Sequence, residues 1–156
     1  MASRAWSRRP LADQVGELKA LQNEGKIVEI GLSQCTVQQL DEAREIAEIV
    51  SVQGRYNVMD RAAQDMLDVC ERDGPAFIPW APVAQGGLAE AHSALAEIAR
   101  AHGCGEGQVA IAWLLQVSPV MLPIPGTSRR THLEENLAAA KVQLSPEEIK
   151  TLSAAA

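Results

Sequence analysis

Leu11, Val15, Leu18 and Leu21 recur three or four residues apart, the spacing of one helical face, and Gly25 can end the segment with a positive φ. A helix over Leu11–Asn23 follows. The period then shortens: Ile27-Val28-Glu29-Ile30-Gly31-Leu32 is β-branched and predicts a strand. After a brief loop, Thr36 and Gln39 can form a reciprocal capping box that opens a second helix, with Leu40, Ala43, Ile46 and Ala47 as its buried stripe. Val50-Ser51-Val52-Gln53 starts a second strand. Asp60 is the predicted cap of the next helix, whose inward face is Met66, Leu67, Val69 and Cys70. Ala76–Trp80 supplies a third strand, in which Pro79 is tolerated best near the end.

Pro82–Ala91, with Gly86 and Gly87, reads as a mobile connection. Leu95, Ile98 and Ala99 mark a helix that Gly103 stops. Val109, Ala112, Trp113 and Leu114 mark another, with Trp113 a core residue in that apolar company. Val120-Met121-Leu122-Pro123-Ile124 is the fourth expected strand. Thr131 is expected to cap the last long helix, with Glu134 three residues on and Leu133, Leu137 and Ala140 in apolar contact. Ser145-Pro146-Glu147-Glu148 opens a short final helix.

Such alternation predicts an α/β fold: a parallel sheet with helices on its outer face. One helix followed by four strand–helix units is approximately a (βα)4 half-barrel, a partial TIM barrel. A whole barrel needs about 250 residues, and this chain has 156. Residues 1–10 are expected to be a flexible tail and 11–156 the half-barrel-like domain. An open arc would leave two unpaired edges and one apolar face, which a second copy or a complementary amino-terminal half could cover.

A net charge of −6 and a pI near 5.1 disfavour partnership with nucleic acid or an anionic membrane. The basic clusters are Arg4, Arg8 and Arg9, read as a solvated tail that also carries Trp6, and Arg129–Arg130. Three widely spaced cysteines, Cys35, Cys70 and Cys104, suit a reducing compartment, with cytoplasm the default. Met1–Pro10 lacks the apolar run of a secretory signal. Neither the cysteines nor His92 and His102 have metal-ligand spacing, so no metal is assigned.

The polar groups that follow the strands point to a ligand. Ser33 and Gln34 follow the first strand, Gln53 ends the second and Trp80 the third, where a β/α barrel assembles its site. Trp80 can stack on a flat heteroaromatic ring. Gly126-Thr127-Ser128-Arg129 leads into a helix, where backbone N–H groups and hydroxyl or guanidinium donors can receive phosphate oxygens.

Gly31-Leu32-Ser33, Gln53-Gly54-Arg55-Tyr56-Asn57, Phe77-Ile78-Pro79-Trp80-Ala81-Pro82 and Ile124-Pro125-Gly126-Thr127-Ser128-Arg129, continued by His132-Leu133-Glu134-Glu135-Asn136, resemble the last four strand-end segments of an aldo/keto reductase. Only the carboxyl-terminal, cofactor-binding half of that family is matched. The resemblance implies an NADP(H)-dependent oxidoreductase of aldehydes and ketones. It implies that Ser33 and Gln53 orient the nicotinamide carboxamide and that Trp80 packs on its ring. Thr127, Ser128 and Arg129 would lie at the adenosine phosphate, with His132, Glu135 and Asn136 toward the adenosine and adenine. Gln34 stands where the family usually has asparagine, and Gly54 where asparagine is frequent. The aspartate, tyrosine, lysine and histidine of family catalysis come from the first four barrel strands and match nothing here. No catalytic residue is therefore assigned, Tyr56 included, and carbonyl reduction is expected only in a complete assembly. The alternative is a non-catalytic, self-associating half-barrel.

Overall fold

The structure, a computed structural model, describes residues 9–82 and 92–154, with His92 described by its backbone alone. The expectations for Arg4, Trp6, Arg8 and most of the amino-terminal tail, and for Gly86 and Gly87, lie outside the described residues.

Helix α1 (Leu11–Asn23) ends as its pattern predicts, Gly25 taking φ 74°. Strand β1 is only Gly31–Ser33, not the run from Ile27. The reason is local. The Val28 carbonyl accepts a 2.8 Å bond from the Gln22 amide of α1 instead of joining a ladder, and the Val28 side chain is 80% exposed. Helix α2 (Val37–Arg44) starts at the predicted box: Thr36 Oγ1 accepts from the Gln39 N–H at 3.2 Å, and Gln39 Oε1 from the Thr36 N–H at 2.9 Å.

Strand β2 (Ser51–Arg55) pairs in parallel with β1 on one side and with β3 (Ala76–Trp80) on the other. Between them α3 (Gln64–Asp73) buries Met66, Leu67, Val69 and Cys70. Asp60 does not cap α3, whose cap is Ala63 without a side-chain bond. It forms instead a small antiparallel bridge with Asn57 and an ion pair with Arg55. At the far end of the strands, Arg44 of α2 meets Asp73 of α3 at 2.7 Å.

The register sorts the sheet into two faces. Leu32, Val52 and Phe77 stand in one row, extended by Met121, and pack into the helical core with Leu40, Ala43, Met66, Val109 and Trp113. Gly31, Ser51 and Ala76 make a row on the other face, Ser33, Gln53 and Ile78 the next, and Arg55 and Trp80 the last. No residue of these three rows is buried. The expected apolar face is thus mixed, with small and polar side chains from Gly31, Ser51, Ala76, Ser33 and Gln53 beside the apolar Ile78 and Trp80. Space is tight at Gly31, where a Cβ would force the Ser51 hydroxyl to turn away and would come within 3.2 Å of the Ser51 carbonyl oxygen.

The fourth strand does not form. Val120–Ile124 contributes one parallel bridge, Met121 to Phe77: the Phe77 N–H donates to Val120 O and the Leu122 N–H to Phe77 O, both at 2.8 Å. Backbone donors alternate sides along a strand. Phe77 therefore turns toward residue 120, and so would Pro79, two positions on, which has no N–H to give. The facing segment turns Leu122 toward Phe77, so Pro123 and Pro125 point away from β3 and take no donor from this ladder. Pro79 is harmless to the β2 ladder for the same reason.

Helices α4 (His92–His102) and α5 (Glu106–Val117) are separated by Gly103 at φ 62°, and α5 buries Val109 through Leu114. Helix α6 (Arg130–Ala138) departs from expectation: Thr131 lies inside it, Arg129 is its cap, and no residue of it is buried. Leu133 and Leu137 are exposed, as is Ala140 in the 3-10 turn that follows. Helix α7 (Pro146–Ser153) opens with the predicted Ser145–Glu148 box.

Candidate functional site

The carboxyl ends of β1, β2 and β3 surround a cavity of about 410 Å³ lined by Gln34, Cys35, Gln53, Gly54, Arg55, Asp65, Met66 and Trp80, among others. Ser33 stands at its rim, its hydroxyl donating to Gln53 Oε1 at 3.2 Å. Adjacent register fixes that contact: Ser33 is the ladder partner of Gln53 on the open face. Gly54 faces the other way, where a Cβ would press within 3.0 Å of the Phe77 ring, so the absent asparagine side chain leaves close packing behind it.

Two residues at this rim hold left-handed backbone without being glycine: Gln34 at φ 53° and Ala81 at φ 52°. Each follows a strand directly. Such a conformation costs roughly 1–2 kcal/mol for a side-chain-bearing residue, and asparagine tolerates it better than glutamine does. The surroundings enforce it. The Gln34 N–H donates to Gln53 O at 2.8 Å, and the Ala81 carbonyl accepts from Asn57 Nδ2 at 3.0 Å.

Asn57, itself 2% exposed, also accepts at Oδ1 from the N–H groups of Met59 and Asp60, so one side chain ties the β2 and β3 ends together. The sequence places this residue among the polar groups that follow the second strand but does not reveal the tie it makes. Its signal was present: an asparagine just after a strand favours a side-chain-to-backbone turn.

Trp80 is partly exposed, its Nε1–H is buried without an acceptor among the described residues, and Arg55 Cζ lies 5.6 Å from its ring centroid. Tyr56 belongs to the scaffold. It is 2% exposed, stacks on Trp113, meets Phe77 edge-on and donates to Gln64 Oε1 at 2.6 Å. Burial holds its phenol above the ordinary tyrosine range. Arg61 braces the same group, its guanidinium 4.3 Å from the Trp113 ring centroid and bonded to the carbonyls of Val58 and Leu152. Burial likewise pushes the Cys35 thiol up, so it is no activated nucleophile at the cavity wall.

A second cavity, of about 360 Å³, is lined by Pro82, Gly107, Pro125, Gly126, Thr127, His132, Glu135 and Asn136. Trp80 lines the first cavity and Pro82 the second, so the two adjoin along one short stretch of chain. The structure thus gathers Ser33, Gln34, Gln53 and Trp80 in one place and Thr127, His132, Glu135 and Asn136 in another. Ser128 and Arg129 line neither cavity and are exposed. The Arg129 N–H is already taken by Thr127 Oγ1 at 3.1 Å, which removes one of the expected phosphate donors. Helix α6 begins immediately after it, with the first-turn N–H groups of Arg130, Thr131 and His132 pointing out of its end.

The Ser33–Gln53 pair suits a carboxamide. A carboxamide needs one acceptor and one donor, which the Ser33 oxygen and the Gln53 amide N–H2 supply side by side. A partly exposed indole beside them suits a flat ring. Among the described residues no group of three or more His, Cys, Asp or Glu side chains could hold a metal ion. No helix among them is long and apolar enough to cross a membrane.

The chain is similar to several known proteins. The model of the aldo/keto reductase family matches residues 5–156. An uncharacterized oxidoreductase of Schizosaccharomyces pombe is 46% identical over 138 residues, 88% of this chain and 45% of its own length. Pyridoxine 4-dehydrogenase of Escherichia coli is 47% identical over 136 residues, 86% of this chain and 47% of its own. The chain therefore spans about half the length of these relatives. Among solved structures, the thermostable aldo-keto reductase Tm1743 superposes with a TM-score of 0.90 at 33% identity, over 95% of this chain and 56% of that one. An aldo/keto reductase from Klebsiella pneumoniae, in complex with NADP and acetate, gives 0.86 at 26% identity, over 94% and 54%.

Proposed function

Because the chain belongs to the aldo/keto reductase family of oxidoreductases, we propose that it is the cofactor-binding, carboxyl-terminal half of such an enzyme, a half-barrel that binds NADP(H). The pairing of Ser33 with Gln53 beside Trp80 carries this reading. The coverage of about half of each relative and the order of the strand-end motifs support it.

In this reading Gln53 donates to the carboxamide oxygen, Ser33 accepts from its nitrogen, and the Trp80 face holds the ring flat against the strand ends. Thr127 and the first turn of α6 receive phosphate, with His132, Glu135 and Asn136 around the adenosine in the second cavity. Ser128 and Arg129 reach the phosphate only if their exposed side chains fold over it. The bound dinucleotide supplies hydride chemistry, while the protein supplies orientation and proton transfer. The aspartate, tyrosine, lysine and histidine that move the proton come, in this proposal, from a complementary amino-terminal half. An aldehyde or ketone is the substrate of that whole assembly.

Titration of the purified chain with NADPH, followed by a carbonyl turnover assay with and without such a half, tests the proposal. Saturable binding with turnover only in the combined sample is expected. Failure of NADPH to bind would defeat it. The exposed Leu122 and Ile124, beside the unpaired edge, favour a second reading in which two copies associate through their open sides without catalysis. Sedimentation that stays monomeric at every concentration excludes that reading.

A further inference from the structure

The ladder sets a cation on the ring reserved above for the nicotinamide. Arg55 is the register partner of Trp80 and lies two residues beyond Gln53 on the same open face. Its Cζ stands 5.6 Å from the Trp80 ring centroid and its Nε 3.0 Å from Asp60 Oδ2. Among the described residues that line the first cavity, it is the one basic side chain.

Its placement is not that of a loose surface arginine. Asp60 is bridged to Asn57, and the Asp60 N–H donates to Asn57 Oδ1 at 3.0 Å. Asn57 in turn donates to the carbonyl of Ala81, the residue after Trp80. The contacts close a ring that runs from Trp80 through Ala81, Asn57, Asp60 and Arg55 back to Trp80.

We infer that Arg55, held over Trp80 by Asp60, sets the redox-state preference of the site, favouring the uncharged reduced ring of NADPH over the positively charged ring of NADP+. The inference rests on the function proposed above. The two forms of the nucleotide differ by one positive charge, and that charge sits on the ring. A guanidinium within about 6 Å of an indole already occupies the attraction its face offers to cations. A cationic ring finds that attraction already taken and a like charge beside it, whereas a neutral ring draws on no such attraction and feels no such repulsion. Asp60 offsets part of the charge, and the Arg55 side chain, 58% exposed, is screened by water. The discrimination expected is therefore about three- to tenfold, well short of an unscreened interaction at that distance.

The test titrates the unaltered chain, Arg55→Gln and Arg55→Lys with NADPH and with NADP+ at one ionic strength. Arg55→Gln is expected to lower the NADPH-to-NADP+ affinity ratio by about three- to tenfold, and Arg55→Lys, which keeps the charge, to retain most of it. A ratio unchanged in Arg55→Gln overturns the inference. So does a ratio that falls equally in both variants, because shape and not charge would then be responsible. An unaltered chain that binds neither nucleotide defeats the proposed function and this inference with it. Binding of both with the ratio unmoved defeats this inference alone.

Discussion

The β1–β3 region and the stretch from Val120 through α6 carry the same kind of sequence signal, an apolar run followed by a capped helical pattern, and fold to different degrees. In the first, Val52, Phe77, Leu40 and Met66 are buried and the ladder runs unbroken. In the second, one bridge forms, Leu122, Ile124, Leu133 and Leu137 stay exposed, and no residue of α6 is buried. Periodicity shows which face a segment can bury, while burial itself needs a surface to pack on. The second region has the pattern without that surface.

Core truncation should separate the two regions most widely. Phe77→Ala, which empties a fully buried ring position, is expected to cost about 3–5 kcal/mol in denaturant unfolding. A loss near zero would mean that the sheet is not the stable part of the chain. Caps come next. Thr36→Ala removes a bond the structure shows and should cost about 1 kcal/mol, whereas Thr131→Ala, inside α6, should stay within about 0.5 kcal/mol. Equal costs would show that the two helix starts are alike after all.

Acid provides a third contrast. Hydrogen bonds from Arg72 and then Arg44 hold the Asp73 carboxyl at about 2, below the ordinary aspartate range. A lowered folded value means that this contribution is complete above about pH 4 and is lost as pH falls toward 2. Asp73→Asn should flatten that part of the acid limb measured by thermal unfolding, and an unchanged limb would remove Asp73 from the account. The smallest effect is expected at Leu137→Ala. With its side chain 67% exposed, unfolding should shift by no more than about 0.5 kcal/mol.

These contrasts also explain what was legible in the residues. The Thr36 and Ser145 boxes, the Gly103 stop and the buried faces of α3 and α5 follow from local spacing, and all are present. The start of β1 was misplaced because a Gln22 side chain takes the Val28 carbonyl, a contact six residues long that no periodicity records. The fourth strand failed where donor direction mattered. Pro79, innocuous on its β2 side, has no N–H to give the segment that starts at Val120. At the site, the strand-end residues were visible as polar groups after apolar runs. Asn57 and Arg55 were among them, but their individual roles were not visible, since these lie in register and in contacts across 24 and 25 positions.

Gln34 and Ala81 bear on anyone seeking a more heat-tolerant form of the chain. Asparagine at position 34, the residue the family usually has there, should relieve part of the left-handed strain. It should raise the melting temperature by a few degrees, on the order of 1 kcal/mol for a domain of this size. Glycine at position 81 should do likewise by freeing the turn. The two changes are not equivalent in their side effects, because Gln34 lines the first cavity whereas Ala81 gives its carbonyl to Asn57. Strain relieved at position 34 therefore changes the wall of the first cavity itself, whereas strain relieved at position 81 acts one residue beyond Trp80.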